Sequence, residues 1–241
     1  MRSLHVPGEA IFSAIRRAIY GALNPRYAHL PRRFRSRRIS VLDVGSSARG
    51  GLIAHRILKD CWYEGVDMIN ISPSDPVMKY FDRFHSLDLN KAGLALIADG
   101  VFDYVICSHT IEHLNDGLTI VSELCRKVRS GGRLYLEWPS IESQTFPLRG
   151  FGLNFFDDST HQRTFSREQI AELVRHEGML VEFVGRRRNK LRMLLAPLLV
   201  LRRWLRERRL LLYDLWDWVG FCYVVRAVKP TADATGNEDT R

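Results

Sequence analysis

At 241 residues and 46% hydrophobic content, the chain can bury one large core with appendages. Four cysteines without a CxxC pair argue against a zinc ribbon or a disulfide framework and suit a reducing cytoplasm. The net charge of +9 leaves room for an anionic partner, but the longest apolar run, Met193 to Leu201, is far short of the roughly 20 residues of a membrane span, so the chain is expected to be soluble or to lie on a membrane surface.

In chain order, the charge falls in blocks. Residues 1–40 hold nine arginines and one glutamate, residues 41–185 hold 14 basic and 20 acidic residues, and residues 186–219 hold ten basic and three acidic ones. Ile11, Ala14, Ile15, Ala18 and Ile19 recur at helical spacing with Arg16 and Arg17 opposite, which predicts an amphipathic helix over 11–23. A basic, proline-containing linker follows, so that 1–38 form a basic N-terminal helix and linker. Strands are then expected at 39–45, 62–68, 83–89, 102–108, 132–139, 180–185 and 220–228. Helices are expected at 51–59, 92–99, 115–129 and 166–177, the last opened by Ser166 with Gln169 three residues on, a capping box. "RSGG", Arg129–Gly132, reads as a helix stop. Strands alternating with helices in this way predict an α/β, Rossmann-like, seven-stranded and mostly parallel sheet with helices on both faces, spanning 39–229. The polar stretch 230–241 is expected to be disordered.

In such sheets ligands bind at the carboxyl ends of the strands, where strand order reverses. The first strand ends in "VLDVGSSARGG", bringing Asp43, Gly45, Ser46, Ser47 and Gly50 to that edge, with Asp43 reading more as a turn and hydrogen-bond organiser at the strand end than as a direct ligand. Asp67 closes the second strand, 22 residues beyond Gly45, a spacing suited to a carboxylate on ribose hydroxyls. Asp88 follows the third strand, although "DLNKAG" also reads as a helix cap. Ser108, His109, Glu112 and His113 follow the fourth. A nicotinamide oxidoreductase would share the turn and Asp67, but the middle glycine of a dinucleotide fingerprint is replaced by Ser47, and no Lys-Ser/Thr pair marks a P-loop.

With these residues in order, the chain resembles the class I S-adenosylmethionine-dependent methyltransferases, in their subgroup of small-molecule and glycan methyltransferases. "VLDVGSSARGG" is similar to their first motif, "GVDM" to the ribose-binding acid, "SLDLN" to the adenine-side acid, and 102–140 to their later motifs; the likeness runs from about Ile39 to Gly185. It implies an S-adenosyl-L-methionine cofactor held by Asp43, Gly45, Ser46, Ser47, Gly50, Asp67, Met68, Asp88, Leu89 and Ser108. Ser46-Ser47 stands where the family often has Cys-Gly.

Methyl transfer from a sulfonium asks the protein mainly to position the acceptor and exclude water, with a general base for a hydroxyl acceptor. His109, His113 and His161 are the candidates for that base. His161 lies in "LNFFDDSTHQRTFS", Leu153–Ser166, which resembles an acceptor-side loop of sugar and polysaccharide methyltransferases. Asp157, Asp158 and His161 have no diagnostic ligand spacing, so no metal is expected. The favoured function is O-methylation of a sugar or lipid-linked glycan precursor. A quinone or secondary-metabolite methyltransferase and a non-catalytic cofactor-binding scaffold are the alternatives. Residues 186–219, a basic insertion rich in Leu and Trp before the last strand, suit an interfacial segment on anionic lipid at the inner membrane surface. A cover over the core or a dimer contact competes with that reading, and nucleic acid fits the leucine density poorly. Pro197 is expected to break or kink this segment.

Overall fold

A computed structural model describes residues 7–231, with side chains from residue 12 onward. Seven strands run in chain order: β1 (Arg38–Val44), β2 (Asp60–Asp67), β3 (Arg83–Ser86), β4 (Phe102–Ser108), β5 (Val128–Pro139), β6 (Leu180–Arg186) and β7 (Cys222–Val228). They form one sheet in the order β3-β2-β1-β4-β5-β7-β6. All neighbouring pairs are parallel except those of β7, which is antiparallel to β5 and β6. Every residue of β4 is buried, as expected for a central strand covered on both faces. The chain runs outward from β1 through β2 to β3 and then restarts on the other side of β1 at β4. The crevice at the carboxyl ends of β1 and β4 is therefore the topological switch point.

Among the described residues nine α-helices accompany the sheet: α1 (Pro7–Leu23), α2 (Pro25–Ala28), α3 (Arg32–Ser36), α4 (Gly50–Ile57), α5 (Leu89–Ala92), α6 (Gly117–Lys127), α7 (Arg167–His176), α8 (Lys190–Glu207) and α9 (Trp216–Val219). One face of the sheet packs Leu42, Val44 and Val105 against Ile120, Val121, Ile170 and Val174 of α6 and α7. The other packs Val41, Tyr104 and Tyr135 against Tyr27, Leu30, Phe34 and α4. The basic stretch between α1 and β1 is therefore part of the core: Tyr27, Leu30 and Phe34 are buried apolar anchors carried by two short helices and the turn between them.

Three local expectations are corrected. The helix expected over 92–99 is only the single turn α5, because Gly93 takes a left-handed φ of 56° and the next amide, of Leu94, donates to the Glu123 carboxylate at 2.6 Å. Arg129–Gly132 does not end a helix. Helix α6 stops at Lys127, and the four residues belong to β5, where Gly131 takes a φ of 70° beside a register shift against β4. Pro197 does not break α8, which runs through it. Proline has no N–H to offer the Met193 carbonyl one turn back, and Trp218 Nε1 donates to that carbonyl instead, at 2.8 Å. Ser166 caps α7 as expected, accepting from the Gln169 amide at 3.0 Å. Of the tail expected to be disordered, 232–241 lie outside the described residues.

Candidate functional site

The turn after β1 is built for close backbone approach. Gly45 has a φ of 76°, and its amide and that of Ser46 both donate to the Val66 carbonyl. A Cβ at Gly45 would overlap Thr110 Oγ1 and lie 3.1 Å from Thr110 Cβ. Ser47, where the family motif often has glycine, itself takes a left-handed φ of 53°. Its amide donates to Asp67 Oδ2 at 2.8 Å, and its hydroxyl accepts from the Arg49 amide at 3.3 Å. Asp67 Oδ1 accepts from Ile69 N at 3.2 Å, so backbone amides fix the carboxylate while lone pairs remain for ribose hydroxyls.

Asp43 lies beneath the turn rather than in the crevice. It is buried, and its Oδ2 accepts from Tyr63 Oη at 2.6 Å and from Arg26 at 3.3 Å. Burial raises its pKa; the Arg26 charge and the Tyr63 hydrogen bond oppose that shift and lose. Ser46, Gly50 and Ser108 are likewise buried supports, and a Cβ on Gly50 would run into Tyr63.

Above the turn lies a cavity of ≈ 670 Å³, within the range of cofactor pockets. It brings Gly45, Asp67, Met68, Asp88 and Leu89 together with His109, His113 and His161. Asp43, Ser46, Ser47, Gly50 and Ser108 do not line it. Asp88 caps α5, accepting from Asn90 N at 3.1 Å, and also reaches the cavity wall.

The three histidines differ in chemistry. His109 has a φ of 55°, with Nδ1 3.1 Å from Glu112 Oε1 and Nε2 2.9 Å from Glu137 Oε1. Burial works against a charged ring, yet the surrounding Cys222, Glu112 and Glu137 outweigh it and hold the His109 pKa well above its usual value. Burial keeps the Cys222 thiol protonated, so the carboxylates supply the charge. With a carboxylate oxygen at each nitrogen, both positions favour an N–H donor, so His109 is poorly placed to take a proton. Arg187 completes the network, bonding Glu137 at 2.8 Å and Asp217 at 3.1 Å. Trp216 lies over the His109 ring at 4.9 Å.

His161 Nδ1 is 2.6 Å from the Phe155 carbonyl, which can only accept, so Nδ1 carries a proton and, in the neutral ring, Nε2 carries the lone pair, with Asp158 Oδ2 3.9 Å away. Thr160 Oγ1 donates to Asp158 Oδ1 at 2.5 Å and so must accept from His113 Nδ1 at 2.8 Å, which leaves His113 Nε2 free as well. The two rings are 4.7 Å apart. Asp157 is committed to structure: its carboxylate collects the amides of Gly150, Gly152, Leu153 and Asn154, and these outweigh partial burial to lower its pKa.

Thr110, Glu137, Arg187, Asp217 and Trp216 were not singled out as site residues from sequence. Only Glu137 left a signal, as the single charge in the apolar run "LYLEWP".

A switch-point crevice with a glycine turn, an acid after β2 and another after β3 defines an S-adenosylmethionine-dependent methyltransferase of class I. The family model described as Methyltransferase domain matches residues 16–182, and the chain belongs to that family. Its cofactor is S-adenosylmethionine, and the nicotinamide alternative is set aside by this membership. The chain is 27% identical over 180 residues to a ubiquinone biosynthesis O-methyltransferase of Xylella fastidiosa (strain 9a5c), covering 68% of this chain and 70% of the relative. A protein of the same name from Xanthomonas euvesicatoria pv. vesicatoria is 26% identical, over 68% and 72%. The fold is shared with a SAM-dependent methyltransferase from Archaeoglobus fulgidus (TM-score 0.51, 20% identity, 92% of this chain and 99% of that one). It is also shared with Haemonchus contortus phosphoethanolamine N-methyltransferase 2 in complex with S-adenosyl-L-methionine (TM-score 0.58, 16% identity, 95% and 59%).

Proposed function

We propose that the protein O-methylates a small-molecule hydroxyl, with a phenol or quinol as the favoured acceptor class. One observation carries the reading: a single cavity joins a cofactor end, Gly45, Asp67 and Asp88, to an acceptor end at His113 and His161. The acceptor oxygen lies against the Nε2 lone pairs of those two rings, where its proton is removed as the O–CH3 bond forms and the S–CH3 bond breaks. Leu87 and Leu114 line the same cavity and give a planar apolar ring somewhere to rest. The ubiquinone-biosynthesis relatives support a small-molecule acceptor, and nothing in the comparisons favours a glycan. Formation of S-adenosylhomocysteine, measured against a panel of phenols, quinols and free or lipid-linked sugars, tests the assignment. Turnover confined to the sugars would reverse it.

A finer part of the proposal concerns location. Among the described residues no helix is long and apolar enough to cross a membrane. However, α1 exposes Phe12, Ile15 and Ile19, while α8 exposes Leu194, Leu198, Leu201 and Trp204. Arg16 and Arg202 lie among them where the helices adjoin. Exposed apolar side chains mixed with arginines suit anionic lipid headgroups. Flotation with vesicles containing phosphatidylglycerol at low salt, and none with neutral vesicles, is expected; failure to float on either removes the membrane reading.

A further inference from the structure

At the acceptor end, hydrogen bonding leaves three atoms unused. Glu112 is fully buried; its Oε1 serves His109 and its Oε2 has no partner. His113 and His161 spend Nδ1 on Thr160 and Phe155, and no hydrogen bond reaches either Nε2, although Asp158 Oδ2 stands 3.9 Å from that of His161. One ligand atom from each of the three residues lies within 4.8 Å of the other two. A buried carboxylate oxygen without a donor is costly, and two lone pairs beside it cannot donate to it. A cation would satisfy all three at once.

We infer that Glu112, His113 and His161 form a binding site for a divalent transition ion with an open coordination position toward the cavity. The proposal rests on reading the two histidines as the acceptor end. Two imidazoles and one carboxylate select an ion of the Zn2+, Co2+, Mn2+ or Fe2+ kind over Mg2+ or Ca2+, which prefer all-oxygen sites. The tautomers are already those of metal ligands, since an Nδ1–H held by a backbone carbonyl or by a hydroxyl backed by a carboxylate turns Nε2 inward. Metal–ligand distances of about 2.0–2.2 Å require the three atoms to draw together from their present spread. Gln162 keeps the two loops in register for this, its backbone amide donating to the Glu112 carbonyl at 2.8 Å and its side-chain Nε2 to the His113 carbonyl at 2.8 Å. The other cluster of ligand-type atoms, His109, Glu137 and Cys222, is saturated internally and by Arg187, so it does not compete. With the ion bound, both Nε2 lone pairs are its ligands, so an acceptor hydroxyl in the open position would lose its proton to solvent rather than to the rings, and the oxygen would then take the methyl group as the S–CH3 bond breaks, without any change of oxidation state.

The test is a Co2+ titration of chelator-treated full-length protein carrying S-adenosylhomocysteine, read by visible absorption, with Zn2+ calorimetry beside it. One ion per chain is expected. His113→Ala and His161→Ala should each weaken Zn2+ binding by more than about tenfold while leaving S-adenosylhomocysteine affinity and thermal stability near wild type. Absence of saturable Co2+ and Zn2+ binding, or binding unchanged in His161→Ala, overturns the inference. Methyl transfer persisting in metal-free protein would overturn the proposed role of the ion while leaving the O-methyltransferase reading standing. A metal bound as described by a protein inactive on every hydroxyl acceptor would instead uphold the site and sink the acceptor assignment.

Discussion

Replacing Gly45 with alanine tests the claim that the turn after β1 is tight by construction. The new Cβ would meet Thr110 Oγ1 and lie 3.1 Å from Thr110 Cβ. Thr110 cannot simply rotate away, because it is buried and its hydroxyl donates to the Val44 carbonyl at 3.2 Å. An L-residue at a φ of 76° costs about 1–2 kcal/mol, and overpacking a buried contact costs about 1–3 kcal/mol more. The reduced entropy of the unfolded chain returns about 0.4–1 kcal/mol. The net expectation is destabilisation of about 2–4 kcal/mol, a large share of a normal domain's stability. Urea unfolding followed by far-ultraviolet circular dichroism measures it, and calorimetry with S-adenosylhomocysteine should show weakened binding. Gly45→Ala combined with Thr110→Ala should recover part of the loss, with a coupling above about 0.5 kcal/mol. A loss below about 1 kcal/mol with cofactor affinity intact would refute the reasoning.

Asp67→Ala removes the acceptor of the Ser47 and Ile69 amides and the proposed ribose contact; at about 1.5–3 kcal/mol for charged hydrogen bonds, S-adenosylhomocysteine affinity should fall roughly 10- to 150-fold by calorimetry. Ser47→Gly should lie within about 1 kcal/mol of wild type in urea unfolding, because relief at a φ of 53° offsets the added freedom of the unfolded chain. Arg26→Met leaves Asp43 buried with only Tyr63 as partner. Because the arginine side chain is 27% exposed, the loss should be about 2–3 kcal/mol rather than the full penalty of a buried pair, again by urea unfolding. His161→Ala should spare S-adenosylhomocysteine binding and lower kcat more than about 100-fold; equal loss of cofactor affinity would mean that the acceptor loop is misplaced.

Much of this architecture was legible in the sequence because it is local. Seven strands, the glycine turn and the acids at Asp67 and Asp88 announce themselves through runs and spacings within about 30 residues. What stayed hidden depends on distant partners. The organising role of Asp43 could be read from the strand end, but its partners there, Arg26 and Tyr63, are brought in by α2 and β2 from elsewhere in the chain. Tyr27, Leu30 and Phe34 do fall at i, i+3 and i+7, but Pro31 interrupts the run and arginines surround it, so a core segment reads as a linker. Pro197 reads as a break because Trp218, which takes over the orphaned carbonyl, lies beyond the helix in sequence.

The same non-locality explains how the insertion bears on the reaction. His109 is held at a left-handed φ between Glu112 of its own loop and Glu137 of β5, and it would be a poor base for that reason. Glu137 also binds Arg187, the first residue past β6, and Arg187 binds Asp217 of α9. Arg192 and Arg203 of α8 meet in turn on Asp214. Charge on the insertion is therefore spent in two ways: some arginines fasten α8 and α9 to the wall of the cavity, and others stay free on the outer surface. Trp216, positioned over His109 by a bond from Nε1 to the Gly152 carbonyl at 2.6 Å, is where the fastened part reaches the site. Residues of the insertion do not line the cavity that holds Gly45 and Asp67, although His109 does. Changes in the insertion should therefore alter which acceptor is accepted while leaving cofactor affinity alone, a division of labour between a donor end at the glycine turn and a separately built acceptor end.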